Sequence, residues 1–362
     1  MTLEGIRVID FSQYLPGPYA TQRLAILGAE VIKIEPLTGE PAREFGRVKD
    51  GNKIFFEVYN RNKKSMTLNL KSEQGQILAK ELIEKADVVV ESFRPGVMDR
   101  LGLSYEQVKK FKENIIYCSI SGYGQKGEIA QLGSHDINYM SLSGILSQLK
   151  DQQGKPILPS ITLADLIGGI IANEKILSAL IHRERTGKGQ FIDLSITNTM
   201  VSLMDFHIVT KNEVGGDKGI PEITGEIISY NIYETKDGRY VSLAALEPKF
   251  WKNFCLGVGR NDWLSAHFSK AIKENVVYTE IKELFLSKTL DEWTRFGLEV
   301  DCCLTPILEV GEVENHPLNR HNRYLFENNL SPGLGEHTER ILIDLLKKSE
   351  EEVAQFQAKG VI

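Results

Sequence analysis

His135-Asp136-Ile137-Asn138-Tyr139 is a dense polar cluster that follows a glycine-bearing loop and precedes the small-residue run Ser141-Leu-Ser143-Gly144. An imidazole is well suited to moving a proton near neutral pH, so His135 is a candidate acid/base group, with a structural histidine as the alternative. Asp165 stands in Ile161-Thr-Leu-Ala-Asp165-Leu-Ile-Gly168-Gly169, where one carboxylate opens an otherwise apolar helix. An Asp in a first turn meets the helix macrodipole favourably, which is a sufficient structural account. Against that account, Gly168-Gly169 removes side chains one turn later and lets a ligand or another backbone approach closely. Glu247, in Ala245-Leu246-Glu247-Pro248, ends a hairpin strand before a helix with Pro in its first turn, so capping competes with chemistry there as well. These three groups make a site only if the fold brings them together.

Arg61-Asn62-Lys63-Lys64, Lys71, Arg94 and Arg100 gather near the ends of predicted strands. Ligands bind at the carboxyl ends of parallel strands, so these cations suit an anionic cofactor, and equally a solvated charged face. Gly122-Tyr-Gly124-Gln-Lys-Gly127 matches GxGxxG after a strand, but Glu128 to Gly133 is no clear helix to aim at a pyrophosphate, and the strand is not the first of the sheet. A nicotinamide cofactor is therefore not expected. Nor is a metal, because His316 and His321 have no Cys or acidic partners at ligand spacing. Cys118, Cys255, Cys302 and Cys303 contain no CxxC and are expected as reduced thiols.

The elements that must position these groups follow from the hydrophobic pattern. Arg7 to Phe11, Ala29 to Ile34, Ser65 to Leu70, Asp87 to Ser92, Ile115 to Ser121 and Gln190 to Ser195 read as strands. Helices are predicted over Tyr19 to Leu27, over Glu73 to Lys85 after Ser72, from the Ser104/Gln107 capping box, and over the apolar run from Thr162 to His182. Such alternation predicts an α/β fold with a doubly wound, largely parallel sheet. The texture changes near Gly215-Gly216-Asp217-Lys218-Gly219, a linker signal. Beyond it, Tyr230 to Thr235 and Arg239 to Leu246 flank an Asp237-Gly238 turn, helices cover Pro248 to Val258 and Val276 to Ser287, and a strand-like run lies around Cys303 to Leu308. A small α+β domain is the result.

The chain has 362 residues with 43 Lys+Arg against 49 Asp+Glu and 42% hydrophobic residues, a globular composition that excludes disorder and fibrous repeats. A net charge of −6 disfavours nucleic acid as a partner. The longest apolar window, Leu163 to Leu180, contains Asp165, Asn173, Glu174 and Lys175, so it predicts a buried helix and no membrane span. The segment Met1 to Gly5 lacks the cationic and apolar regions of a signal peptide, which predicts a cytoplasmic protein.

Several motifs, in order and spacing, resemble the class III coenzyme A transferase family, also called CaiB/BaiF, which includes the α-methylacyl-CoA racemases. They are Gly5-Ile-Arg-Val-Ile-Asp-Phe-Ser12 with Gly17-Pro18, Leu27-Gly-Ala-Glu-Val-Ile-Lys-Ile-Glu-Pro36, Asn60-Arg-Asn-Lys-Lys-Ser65, Glu91-Ser-Phe-Arg-Pro-Gly96, Ser121-Gly-Tyr-Gly-Gln125, Leu163-Ala-Asp165 and His182-Arg-Glu-Arg-Thr-Gly-Lys-Gly-Gln190. The resemblance implies an interlaced homodimer. Its Rossmann-like large domain spans 1–200 and is completed by 309–362; a linker covers 201–224 and a small α+β domain 225–308. It further implies that acyl-CoA binds the large domain, with Tyr14, Leu15, Arg43, Lys71, Ser92, Phe93, Arg94 and Arg100 as cofactor contacts. Arg43 enters that set because Pro36 stands where the family often has an arginine.

On this resemblance Asp165 aligns with the family's catalytic aspartate, a nucleophile in the transferases and a proton carrier in the racemases. His135-Asp136-Ile137-Asn138-Tyr139 and Leu246-Glu247-Pro248 are similar to the racemase pattern, whereas transferases more often carry Tyr at the position of His135. Epimerisation deprotonates an α-carbon on one face and reprotonates it on the other, so it needs two groups of opposite approach. His135 and Asp165 would supply them, Glu247 would orient the histidine, and helix N-terminal amides near Asp165 would stabilise the enolate oxygen. The alternatives are a CoA transferase with Asp165 as nucleophile and a catalytically silent acyl-CoA-binding protein.

Overall fold

The computed structural model describes residues 1–49, 52–151, 153–216, 219–320 and 331–362. Strands β1 (Arg7–Asp10), β2 (Glu30–Glu35), β3 (Lys64–Thr67), β4 (Val88–Glu91), β5 (Ile116–Ser121) and β6 (Gln190–Ser195) pair in parallel throughout, in the order β3-β2-β1-β4-β5-β6. Both faces of the sheet are covered, which is why β4 and β5 read as continuous buried runs without alternation. On one face lie α1 (Pro16–Ile26) and, among others, α3 (Asp136–Leu142) and α4 (Leu163–Thr186), burying Leu24, Met140, Ala172 and Ile176. On the other lie α2 (Glu73–Glu84) and the C-terminal segment, burying Leu78, Leu82, Leu342 and Phe356.

Local signals set the ends of these elements. Ser72 accepts the Gly75 amide at 3.0 Å to start α2, and Gly187, at φ +72°, ends α4 in the left-handed conformation that glycine adopts without strain. The C-terminal segment is stitched to β3 and the loop after it: His337 N–H donates to the Ser65 carbonyl at 2.9 Å, Thr67 N–H to Thr338 Oγ1 at 3.0 Å, and Asn69 N–H to the Val361 carbonyl at 2.8 Å.

The first compact unit comprises Met1–Asp205 with Asn328–Ile362, and the second Phe206–Glu327. Two boundaries differ from the sequence expectation. Residues 309–320, expected to help complete the large domain, group with the second unit, and the described residues from 331 onward group with the first. The expected linker over 201–224 contains a helix, α5 (Asp205–Val214), and Gly215-Gly216 marks only its end. Residues 217–218 of that stretch lie outside the described residues.

In the second unit β7 (Tyr230–Glu234), β8 (Tyr240–Ala244) and β9 (Leu304–Pro306) form an antiparallel sheet in the order β9-β8-β7. The hairpin closes where predicted, with Thr235 N–H bonded to the Arg239 carbonyl at 2.8 Å and Gly238 at φ +71°. Helices α6 (Pro248–Gly257), α7 (Val276–Phe285) and α8 (Leu290–Val300) pack a core of Trp251, Trp263, Trp293, Phe254 and Phe285 on it. All three tryptophans of the chain are thus in this unit, so its fluorescence reports the second unit alone.

Candidate active site

In an open parallel sheet the chain leaves β1 and β4 in opposite directions, and the crevice between their carboxyl ends is where the fold receives a ligand. A cavity of 450 Å³ lies there, within the first unit. The loop after β1 contributes Gln13, Tyr14 and Pro16, and the loop after β4 contributes Ser92, Phe93 and Arg94. His135, Asn138 and Tyr139 come from the start of α3 and Asp165 from the start of α4. The fold therefore brings His135 and Asp165, 30 positions apart in the chain, to one cavity together with Tyr14, Ser92, Phe93 and Arg94.

Asp165 is positioned by a residue whose role the sequence did not reveal. Asp136 Oδ1 accepts the Asp165 amide at 3.0 Å and the Asp136 carboxylate also takes the Ala164 amide, so α4 is capped by a carboxylate 29 residues upstream of Asp165. A cap this remote has no sequence signature, since the known capping motifs are local. Burial, and secondarily the charge of Asp136, push the Asp165 carboxyl from 3.8 up to about 7. A carboxyl titrating there can both accept and return a proton at neutral pH. The same cap corrects the expectation for the enolate: the α4 amides of Ala164 and Asp165 are already bonded to Asp136. Asn138 lines the cavity and accepts the His135 amide through Oδ1 at 3.0 Å, which leaves its –NH2 group as a side-chain donor. Ser121, at the end of β5, also lines the cavity, and its buried hydroxyl has no partner.

Gly168 and Gly169 find their explanation in packing. A Cβ on Gly169 would sit 2.8 Å from the Pro16 carbonyl oxygen and 3.0 Å from the Tyr19 ring, and one on Gly168 would press on Ile196 at 3.2 Å. It is α1 that approaches the helix at Gly169, and the cavity lies at the N-terminal turn instead.

The remaining expected contacts lie outside the cavity. Leu15 is buried immediately before α1. Arg43 holds the buried Glu35 through two bonds of 2.6 and 2.7 Å, lies 3.7 Å over the Phe56 ring and donates to the Pro332 carbonyl. Lys71 is exposed on the loop after β3, and Arg100 is exposed at the end of the short helix Val97–Arg100. Within the basic run, Lys63 is buried against Asp10 at 3.0 Å and Lys64 pairs with Glu30, so these two cations belong to the fold. Glu247 lies in the second unit, exposed, as the residue before α6, and its carbonyl accepts the Phe250 and Trp251 amides.

The glycine run after β5 is a turn with Gly124 at φ +88° and Gly127 at φ +111°, no helix follows it directly, and Asp193 accepts the Gln125 amide. Among the described residues no group of three or more His, Cys, Asp or Glu is arranged to hold a metal ion. His321 lies outside the described residues. All four cysteines are free thiols. Among the described residues no helix is long and apolar enough to cross a membrane.

The model of CoA-transferase family III matches residues 3–342. The human alpha-methylacyl-CoA racemase is 31% identical over all of this chain and 98% of its own length. The human succinyl-CoA:glutarate CoA-transferase is 29% identical over 99% of this chain and 90% of its own. Among solved structures, a CaiB/BaiF family protein from Brucella suis superposes with a TM-score of 0.83 at 27% identity, covering 95% of this chain and 99% of that one. Near-equal similarity to an isomerase and to a transferase leaves the reaction to be argued from the site.

Proposed function

Because the chain belongs to CoA-transferase family III, whose relatives are acyl-CoA-processing enzymes, we propose that it epimerises the α-carbon of a 2-methylacyl-CoA thioester. The observation that carries this reading is the pair of proton-carrying groups on one cavity: His135 at the start of α3 and Asp165, raised to about 7, at the start of α4. A thioester acidifies its α-hydrogen. One of the two groups removes that proton, the planar enolate forms, and the conjugate acid of the other returns a proton to the opposite face. The Asn138 amide group is the donor we assign to the enolate oxygen, since the α4 amides are occupied. Phe93 N–H donates to the buried Glu91 at 2.8 Å, which fixes the Ser92–Arg94 loop on which we place the coenzyme.

The second reading, a CoA transferase with Asp165 as nucleophile, is favoured by the transferase relatives but has no use for an imidazole on the same cavity. Incubation with a chiral 2-methylacyl-CoA in D₂O, without free carboxylic acid, separates them. Deuterium entering the α-position, and lost in both His135→Ala and Asp165→Ala, is the expected result. No deuterium, but a new acyl-CoA on adding a carboxylic acid and inactivation by hydroxylamine during turnover, would overturn it. Binding of acyl-CoA with neither reaction would mark a silent binding protein. The proposal includes a homodimer, which light scattering tests as a mass twice that of one chain.

A further inference from the structure

Beneath the cavity lies a cluster of buried charges that the proposed chemistry does not use. Asp10, Lys33, Glu35 and Glu40 are at most 2% exposed, Lys63 is 5% exposed, and Arg43 closes the group over Glu35. Three carboxylates face three cations, so the cluster is balanced, and removing one member strands the charge of another. Most of its bonds are internal or reach nearby backbone: Lys63 holds Asp10 at 3.0 Å and the Pro18 carbonyl at 2.9 Å, and Arg43 holds Glu35. Three members, however, reach the loop that forms one wall of the cavity, Asp10 by accepting the Ser12 amide through Oδ1 at 2.9 Å. Lys33 Nζ donates to the Ser12 carbonyl at 2.8 Å, and Glu40 Oε2 accepts the Tyr14 amide at 3.2 Å while lying 3.4 Å from Lys33. From the other side, Ser92 Oγ accepts the Gln13 amide at 2.9 Å.

Tyr14 needs such a hold. It has φ +63°, a left-handed conformation that costs a residue with a Cβ, and the residue is 47% exposed, so packing does not fix it. Yet Gln13, Tyr14 and Pro16 all line the cavity. A loop held in a costly conformation by a buried carboxylate is preorganised for whatever it binds.

We propose that Glu40 is a positioning residue for acyl-CoA binding: seated on Lys33, its carboxylate clamps the Tyr14 amide and so holds the Gln13–Leu15 turn in its binding conformation. The ligand assignment rests on the function proposed above; the clamp itself does not.

Two measurements on the full-length protein keep these apart. Amide hydrogen–deuterium exchange of the peptide spanning Gln13–Leu15, without ligand, reads the clamp. Faster exchange is expected in Glu40→Ala, and exchange near wild type in Glu40→Gln, which keeps an acceptor oxygen; unchanged exchange in a folded Glu40→Ala refutes the clamp. Kinetics with the 2-methylacyl-CoA then read its consequence. KM is expected to rise on the order of tenfold in Glu40→Ala, as for loss of one bond to a charged acceptor, with kcat within about threefold. In a Tyr14→Gly background, where the left-handed turn is unstrained, the effect of Glu40→Ala on KM should shrink. A fall in kcat with KM unchanged, or equal effects in both backgrounds, refutes the positioning role. If Glu40→Ala does not fold, Glu40→Asp, which keeps a negative charge beside Lys33 but withdraws the acceptor from the Tyr14 amide, must show the same rise in exchange and KM. Failure of the wild-type protein to bind any acyl-CoA would overturn the functional reading while leaving the exchange result to judge the clamp.

Discussion

Replacing Asp136 by Asn tests the electrostatics of the site with little change of shape. The amide oxygen still accepts the Asp165 N–H group, so the cap on α4 is kept while the negative charge beside Asp165 is removed. Burial is the larger cause of the rise of Asp165 from 3.8 to about 7 and Asp136 the smaller, so the charge accounts for less than half of it. The base limb of α-proton exchange should therefore move down by roughly one pH unit in Asp136→Asn. At pH 6 this takes the ionised fraction of Asp165 from about a tenth to about a half, a gain of about fivefold for the enantiomer whose α-proton faces Asp165. Tyr59 and Tyr139, which also act on Asp165, are both raised by burial and neutral in this range. The assay is deuterium incorporation from pH 5 to 9 for wild type, Asp136→Asn and Asp136→Ala. The Ala variant should share the shifted limb and lose about 1 kcal/mol of stability with its cap. A limb that stays in place in Asp136→Asn would refute the assignment of Asp136 as the charged neighbour of the base.

Asp165→Asn should stabilise the fold in a pH-dependent way. The carboxyl titrates near 3.8 when unfolded and near 7 when folded, so the folded state retains the proton longer. The cost of ionising it in place is absent below about pH 4, grows up to pH 7 and is full above that, reaching at most about 4 kcal/mol and roughly half that with solvent screening. Urea unfolding at pH 4 and 8 measures it, by far-UV circular dichroism since every tryptophan is in the second unit; an equal difference at both pH values refutes it. Gly169→Ala drives a Cβ to 2.8 Å from the Pro16 carbonyl and should cost about 1–3 kcal/mol in the same assay, and a neutral result would mean that α1 yields. Glu247→Gln alters an exposed side chain outside the cavity, so the melting temperature should hold; a fall in exchange would bring Glu247 into the chemistry, and unaltered exchange would remove it.

Much of the architecture was legible in the sequence because it is written locally. Val88–Glu91 and Ile116–Ser121 are runs whose burial on both faces shows as composition, Ser72 and the Ser104/Gln107 pair announce helix starts, and Gly187 announces a helix end. Each signal depends on neighbours within about four residues, which is the range over which the chain constrains itself. The α5 helix was missed for the converse reason: its residues Asp205–Val214 include no buried position, so no apolar stripe marks it.

The tertiary structure decided what the marked residues do. Lys63 and Arg43 look like ligand cations until Asp10, 53 residues away, and Glu35 are seen to hold them inside the fold. Gly168-Gly169 is equally consistent with a ligand and with a helix until α1 is seen against it. The sequence by itself determined that His135 and Asp165 are present, on a parallel α/β chain with the motifs of an acyl-CoA family. Only folding decided that they share a cavity, and that Asp136 caps and charges the neighbourhood of Asp165. The acidity of a carboxyl depends on how much water it loses and which charges it meets, and both are set by contacts between segments far apart in the chain.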